Sequence, residues 1–341
     1  MPIARTVALA MALAASLAAA PTEAQQVNVK FSLDFVLQGP QSPFFLAHER
    51  GYYTEAGVNL TAIDAGRGSA DTIGRIAGGA YEIGFGDMNA LIEFNAKNPG
   101  KEIPAVMMVY DQAPFAIITL KSKGIAKPAD LVGRNAAAPS FDAPFRLFPL
   151  FAKANGFDAQ RVSWSNIAPQ LREPMLSRGD TDAISGFSFT SLLALKGLGV
   201  PAENIQVFMY KDHGVDLYSN AVIVSPAFAQ AHPRAVEGFV RATIRGFRET
   251  IANPQAAIAA LKEREALINE AIELERLQLA LQTSVLTPDV RANGLGGVNA
   301  QRLQRNIDLI TEGFGLERKV APELVFNGRY LPPGADRWLT R

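Results

Sequence analysis

Five short stretches of this chain place glycines, polar groups and aromatic rings where an apolar run gives way to helix-like sequence. They are Asp34-Phe35 with Gln38, Gly66-Arg67-Gly68-Ser69, Asp87-Met88-Asn89, Ser140-Phe141-Asp142 and Gly186-Phe187-Ser188. In open α/β sheets ligands bind beyond the C-terminal ends of the strands, so a site is expected at such junctions. Helix N-termini beside Gly and Ser can donate backbone N–H groups to an anion or a polar head. Phe35, Phe141, Phe187 and Phe189 could stack on a flat or apolar ligand. Each stretch also has a plainer use. Gly66-Arg67-Gly68-Ser69 lacks the Gly-Lys-Ser/Thr ending of a phosphate loop and serves equally as a turn with Ser69 as helix cap. Asp34 and Asp87 could cap helices, and the phenylalanines could belong to a core. Arg172-Glu173 reads first as a solvated surface pair.

Bond-breaking chemistry finds less support. No Gly-x-Ser-x-Gly or Ser-x-x-Lys pattern occurs, and no motif puts a nucleophile beside Asp212-His213. The chain has no cysteine, so it offers no disulfide, thiolate or Cys-ligated metal. Its histidines, His48, His213 and His232, are far apart in sequence and fit no metal-ligand spacing, so neither a metal nor another cofactor is implied. Lys+Arg and Asp+Glu are both 33, giving no net charge, which points away from nucleic acid as a partner.

The elements that must position these residues alternate in type. Strands are expected at 27–33, 58–63, 81–85 and 103–110, with helices at 43–50, 69–77 and from Asp87 or Met88 to 95. The alternation then restarts: strands at 135–138, 162–166, 182–185 and 205–209, with helices from Asp142 to about 155, at 171–177 and up to 195. Strands separated by helices imply βα units and a mostly parallel sheet. Residues 120–215 thus read as a second α/β unit inserted in the first. After Ala221-Val-Ile-Val224 the chain is helical, over 233–251, 254–263, 268–283 and 300–314, and Trp338 in the tail is expected to cover a surface groove.

The N-terminus reads as an export signal. Arg5 precedes an apolar run from Thr6 to Ala20, Pro21 breaks it, and Thr22-Glu23-Ala24 fits a cut before Gln25. The run is shorter than the roughly 20 residues of a membrane span. With no cysteine to carry a lipid, the expectation is a soluble periplasmic protein of residues 25–341.

Several motifs carry a family resemblance. Leu33-Asp34-Phe35, then Gly39 to Leu60 (GPQSPFFLAHERGYYTEAGVNL), resembles the opening of the NMT1/THI5-like substrate-binding proteins of ABC importers. AGGAYEIGFGDMNALI, with Glu82 where an Asp is usual, KSKGIAKPADLVGRNAAAP, LSRGDTDAISGF and DHGVDLYSNAVIVS are similar to later motifs of that group. The resemblance covers about residues 28–250. It implies a type II periplasmic binding fold, two α/β lobes joined by two crossovers, here near Pro114–Ile118 and Ser219–Val224. The lobes would be 25–114 with 221–341, and 115–220. Such proteins bind a small molecule between the lobes, deliver it to a membrane permease and are expected to be monomers and not enzymes. Pro43 and Phe44 in the first helix, Phe115 and Tyr218 beside the crossovers, and Arg172 complete the expected contact set. Asp34-Phe35 matches an Asp-Trp pair that stacks on the ring in pyrimidine binders, with Phe replacing Trp. A flat ligand such as a pyrimidine-type precursor or an aromatic acid is therefore expected. The alternatives are a sulfonate- or nitrate-type anion held by Arg67, Arg146 or Arg172, or a pyrimidine-precursor enzyme on the same fold. The missing cysteines argue against the enzyme, because pyrimidine enzymes of the group use a His and a Cys-rich motif.

Overall fold

The computed structural model describes residues 26–339; the export signal expected at 1–24 lies outside them. Ten strands form two sheets. They are β1 (Val27–Ser32), β2 (Val58–Asp64), β3 (Ile83–Asp87), β4 (Ala105–Met108), β5 (Phe115–Leu120), β6 (Asn135–Ala138), β7 (Ser163–Asn166), β8 (Ala183–Phe187), β9 (Ile205–Met209) and β10 (Asn220–Val224). The first sheet runs β2-β1-β3-β10-β4 and the second β7-β6-β8-β5-β9. In each, one strand is antiparallel to its neighbours: β10 against β3 and β4, and β5 against β8 and β9. These are the strands by which the chain arrives from the other lobe.

Two runs read as connectors from sequence are thus central strands. FAIITL and NAVIV are buried on both faces, so they lack the alternation that marks a half-exposed strand. The crossovers themselves are 109–114 and 210–219. They bond to one another: Val109 and Tyr110 N–H donate to Asn220 O at 3.0 and 2.9 Å, and Ala113 N–H to Leu217 O at 3.1 Å. Arg302 staples this pair, donating to Asp111 and Asp216 at 3.3 and 3.2 Å with its guanidinium 4.1 Å from the Tyr218 ring centroid.

Each sheet is covered by helices on both sides. The amphipathic helix Pro233–Ala252 turns Val236, Phe239, Val240, Ile244 and Phe247 onto the first lobe. There Phe31 meets Phe44 and Phe239, and Phe44 meets Phe85 and Phe247, with ring centroids 5.0–5.7 Å apart. Edge-to-face packing of this kind adds to the burial of the rings themselves. Aromatic contact continues through the crossover: Tyr110 meets Phe85, Phe187 and Phe189. Trp338 lies beside a cavity it shares with Arg248, Ile251 and Leu339. Among the described residues no helix is long and apolar enough to cross a membrane.

Candidate functional site

The C-terminal ends of β1, β6 and β8 converge between the lobes. The chain leaving β1 at Leu33 delivers Asp34 and Phe35, both buried. Asp34 caps no helix. Its carboxylate accepts from Asn220 Nδ2 at 2.7 Å and Gln41 Nε2 at 3.2 Å. Burial pushes its pKa up to about 6, against the opposing pull of those two amides. Gly66 supports this loop, because a Cβ there would fall 2.3 Å from Leu33 O.

The second lobe answers with charge. Arg172, the first residue of helix Arg172–Arg178, is 1% exposed, and Glu173 beside it is buried too. The expectation of a solvated surface pair is therefore corrected. A short turn over Pro169–Leu171 starts the helix so that both side chains point inward, and Leu171 takes the exposed position instead. Arg172 Nη1 donates to Asp142 Oδ2 and Nε to Glu173 Oε1, both at 2.8 Å. Ser191 Oγ donates to the same Glu173 oxygen at 2.7 Å. Burial also raises Asp142 to about 6; Arg172 opposes that shift, while Asp34 and Glu173 add to it. Gly186 on β8 makes room for the guanidinium, since a Cβ there would lie 2.9 Å from Arg172 Cζ. Across the cleft, Arg172 Cζ sits 5.2 Å from the centroid of the Phe35 ring.

Asp34, Phe35, Gln41, Asp142, Arg172, Phe187, Phe189 and Thr190 enclose what space remains, about 10 Å³, room for one water. The lobes are closed on one another. Thr190 Oγ1 donates to Gln38 Oε1 at 3.1 Å, Arg146 pairs with Glu93 at 2.6 Å, and Ala70 N–H reaches Phe141 O at 3.3 Å. Gly68, at φ +141°, is the N-cap where Ser69 was expected; Ser69 is the first, buried residue of its helix. A Cβ on Gly68 would meet Phe141 O at 2.4 Å, so a side chain at this position would hold the lobes apart.

Several expected contact residues lie elsewhere. Phe44 is in the first core among Phe31, Phe85 and Phe247, and Pro43 in the same helix is buried. Phe115 packs between Phe187 and Tyr210, and Met88 is buried in the hydrophobic core. Tyr218 is held under Arg302, its hydroxyl accepting from Asn299 N–H at 2.8 Å. Asp87 caps helix Met88–Lys97, accepting from Asn89 and Ala90 N–H, each at 3.0 Å. Its pKa is raised to about 7 by burial, against those bonds. Asn89 turns away to donate to Tyr218 O at 2.7 Å. Ser140 and Ser188 give their N–H groups to Asn166 Oδ1 and Pro114 O at 2.9 and 2.8 Å. Arg67 pairs with Asp71 at 2.7 Å and reaches over the half-exposed Phe141 ring. Gln41, Thr190 and Asn220 were not anticipated. Gln41 and Asn220 are amides whose partner, Asp34, is distant in sequence from Asn220. Among the described residues no group of three or more His, Asp or Glu is placed to hold a metal ion.

Comparison with known proteins agrees with this architecture. The chain is 24% identical to the riboflavin-binding protein RibY of Chloroflexus aurantiacus over 335 residues, 93% of this chain and 92% of that one. It is 24% identical to the formylaminopyrimidine-binding protein of Halalkalibacterium halodurans over 307 residues, 88% and 89% of the two chains. A third relative, 23% identical over 67% of this chain and 71% of its own, is the 4-amino-5-hydroxymethyl-2-methylpyrimidine phosphate synthase of Legionella pneumophila. Among solved structures, the alkanesulfonate-binding protein SsuA of Xanthomonas axonopodis, bound to MOPS, superposes with a TM-score of 0.68 at 14% identity. That match covers 89% of this chain and 99% of SsuA, and gives the chain the periplasmic binding protein fold. The NMT1/THI5-like profile matches residues 40–257, more than half of the chain, and the chain belongs to that family.

Proposed function

We propose that this protein is a periplasmic solute-binding component of an ABC importer, and that its solute is a flat, uncharged heterocycle rich in hydrogen-bond donors, of the aminopyrimidine kind. The observation that carries the ligand class is the charge of the cleft. Three buried carboxyl groups, Asp34, Asp142 and Glu173, surround one guanidinium, which already donates to two of them. A sulfonate or nitrate would bring a further negative charge into a low-dielectric space that holds an excess of it. A ring edge bearing amino groups instead supplies donors to Asp34 and Asp142, and Phe35 supplies a face for stacking. Two relatives named for riboflavin and formylaminopyrimidine binding support a flat nitrogen heterocycle. A cleft of about 10 Å³ admits no ring until the lobes part, so capture requires opening and reclosure about the paired crossovers.

The relative named as a synthase suggests an enzyme, but neither a histidine nor a cysteine lines the cleft, which favours binding without turnover. A thermal-shift screen of residues 25–341 against pyrimidines, riboflavin, aromatic acids, sulfonates and nitrate tests the proposal. A ligand at a hundred times its dissociation constant stabilises the fold by about 2.7 kcal/mol. A shift with one flat heterocycle is expected, and Phe35→Ala should weaken that ligand by ~1 kcal/mol. Shifts confined to small anions would sink the proposed ligand class.

A further inference from the structure

We infer, building on the ring-binding reading above, that Arg172 is a specificity-determining residue: its guanidinium plane is the second wall of a slot whose first wall is Phe35. Every anchor of this guanidinium belongs to the second lobe. Asp142 and Glu173 hold two of its nitrogens at 2.8 Å, and Ser191 fixes Glu173 in turn. One side of the group lies against the bare backbone of Gly186, and a centroid distance of 5.2 Å brings it against Phe35. Phe35 belongs wholly to the first lobe. When the lobes part, the guanidinium stays with its carboxylates and the phenyl ring stays with β1. The gap that opens therefore lies between the guanidinium and the phenyl ring. A flat ring inserted there gains stacking on Phe35 and a cation–π contact on Arg172, while its edge meets Asp34 and Asp142. With the lobes closed as they are, the guanidinium occupies the face of Phe35 that the ring would cover, and little space remains between them.

The arrangement predicts which changes matter. Arg172→Lys keeps the positive charge and loses the plane. Gly186→Ala keeps the arginine and pushes its guanidinium away, because the new methyl would stand 2.9 Å from Cζ. Cytosine and riboflavin, titrated calorimetrically into the wild-type protein and both variants, are the probes. Each variant is expected to weaken ring binding about tenfold, the scale of one desolvated cation–π contact, with circular dichroism showing the fold retained. Folded variants that bind the ring as tightly as wild type overturn the role of Arg172 and leave the ring-binding reading intact. Wild-type protein that binds neither ring overturns both. If Arg172→Lys fails to fold, Gly186→Ala alone decides, together with a crystal structure of the wild-type complex. A ring found anywhere but between Phe35 and Arg172 overturns the inference.

Discussion

The two lobes are built on the same five-strand order, yet they bury polar groups at the cleft in different ways. The first lobe presents one acid, Asp34, held by two neutral amides, Gln41 and Asn220. The second presents an ion cluster, Asp142–Arg172–Glu173, that is complete within that lobe. An isolated acid with raised pKa can give up its charge when water leaves. A guanidinium cannot, so it must carry its own counter-ions wherever it goes. The first lobe can thus adapt its protonation to what it binds, whereas the second supplies a fixed charge in a fixed orientation.

Stability measurements should separate these two designs. Arg172→Met would strand two buried carboxylates and should cost about 3–5 kcal/mol in urea unfolding. Asp34→Asn keeps the shape, loses one hydrogen bond and should cost only about 1 kcal/mol. Equal losses would erase the distinction between the lobes.

A pH series tests the buried acids of both lobes together. The folded state holds protons on Asp34 and Asp142 up to about 6, and on Asp87 up to about 7. The unfolded chain releases them near 4. Between these values the folded state binds more protons, so its stability is greatest at the acid side and falls as pH rises. The melting temperature of the ligand-free protein should therefore drop from pH 5 to pH 8, a window above the titration of ordinary surface carboxylates. Asp87→Asn should remove the upper part of that drop. A melting temperature that climbs across the window would contradict the assignment. The smallest effect belongs to Arg67→Ala. Its ion pair with Asp71 is 65% exposed on the arginine side, so the urea midpoint should stay within error of that of the unaltered protein.

The sequence patterns located most of these elements because period and punctuation are local. β6 and β9 fall where the apolar runs place them, and helix Ser69–Ala77 has its expected ends. Asp87 at the head of its helix was legible as a cap for the same reason. The site was less so. Phe35 and Phe44 are the same residue type nine positions apart, and only the turn after β1 sends the first to the cleft and the second to the core. Arg172-Glu173 looks like any charged helix start. What buries it is an acid thirty residues upstream and a glycine fourteen downstream, and no local pattern links the three.

The strand exchange between lobes has a consequence for the order in which the chain is assembled. The second sheet holds all of its strands once β9 ends at Met209, although it is the inserted unit. The first sheet, begun at Val27, lacks the strand between β3 and β4 until Asn220–Val224 is available. A chain emerging from its N-terminus therefore finishes the later lobe before the earlier one. Until then β3 and β4 each present an unpaired edge to anything nearby. The interval between Met108 and Asn220 is when a newly made molecule is most open to strand-swapped pairing with its neighbours, and a holding chaperone would have most to shield.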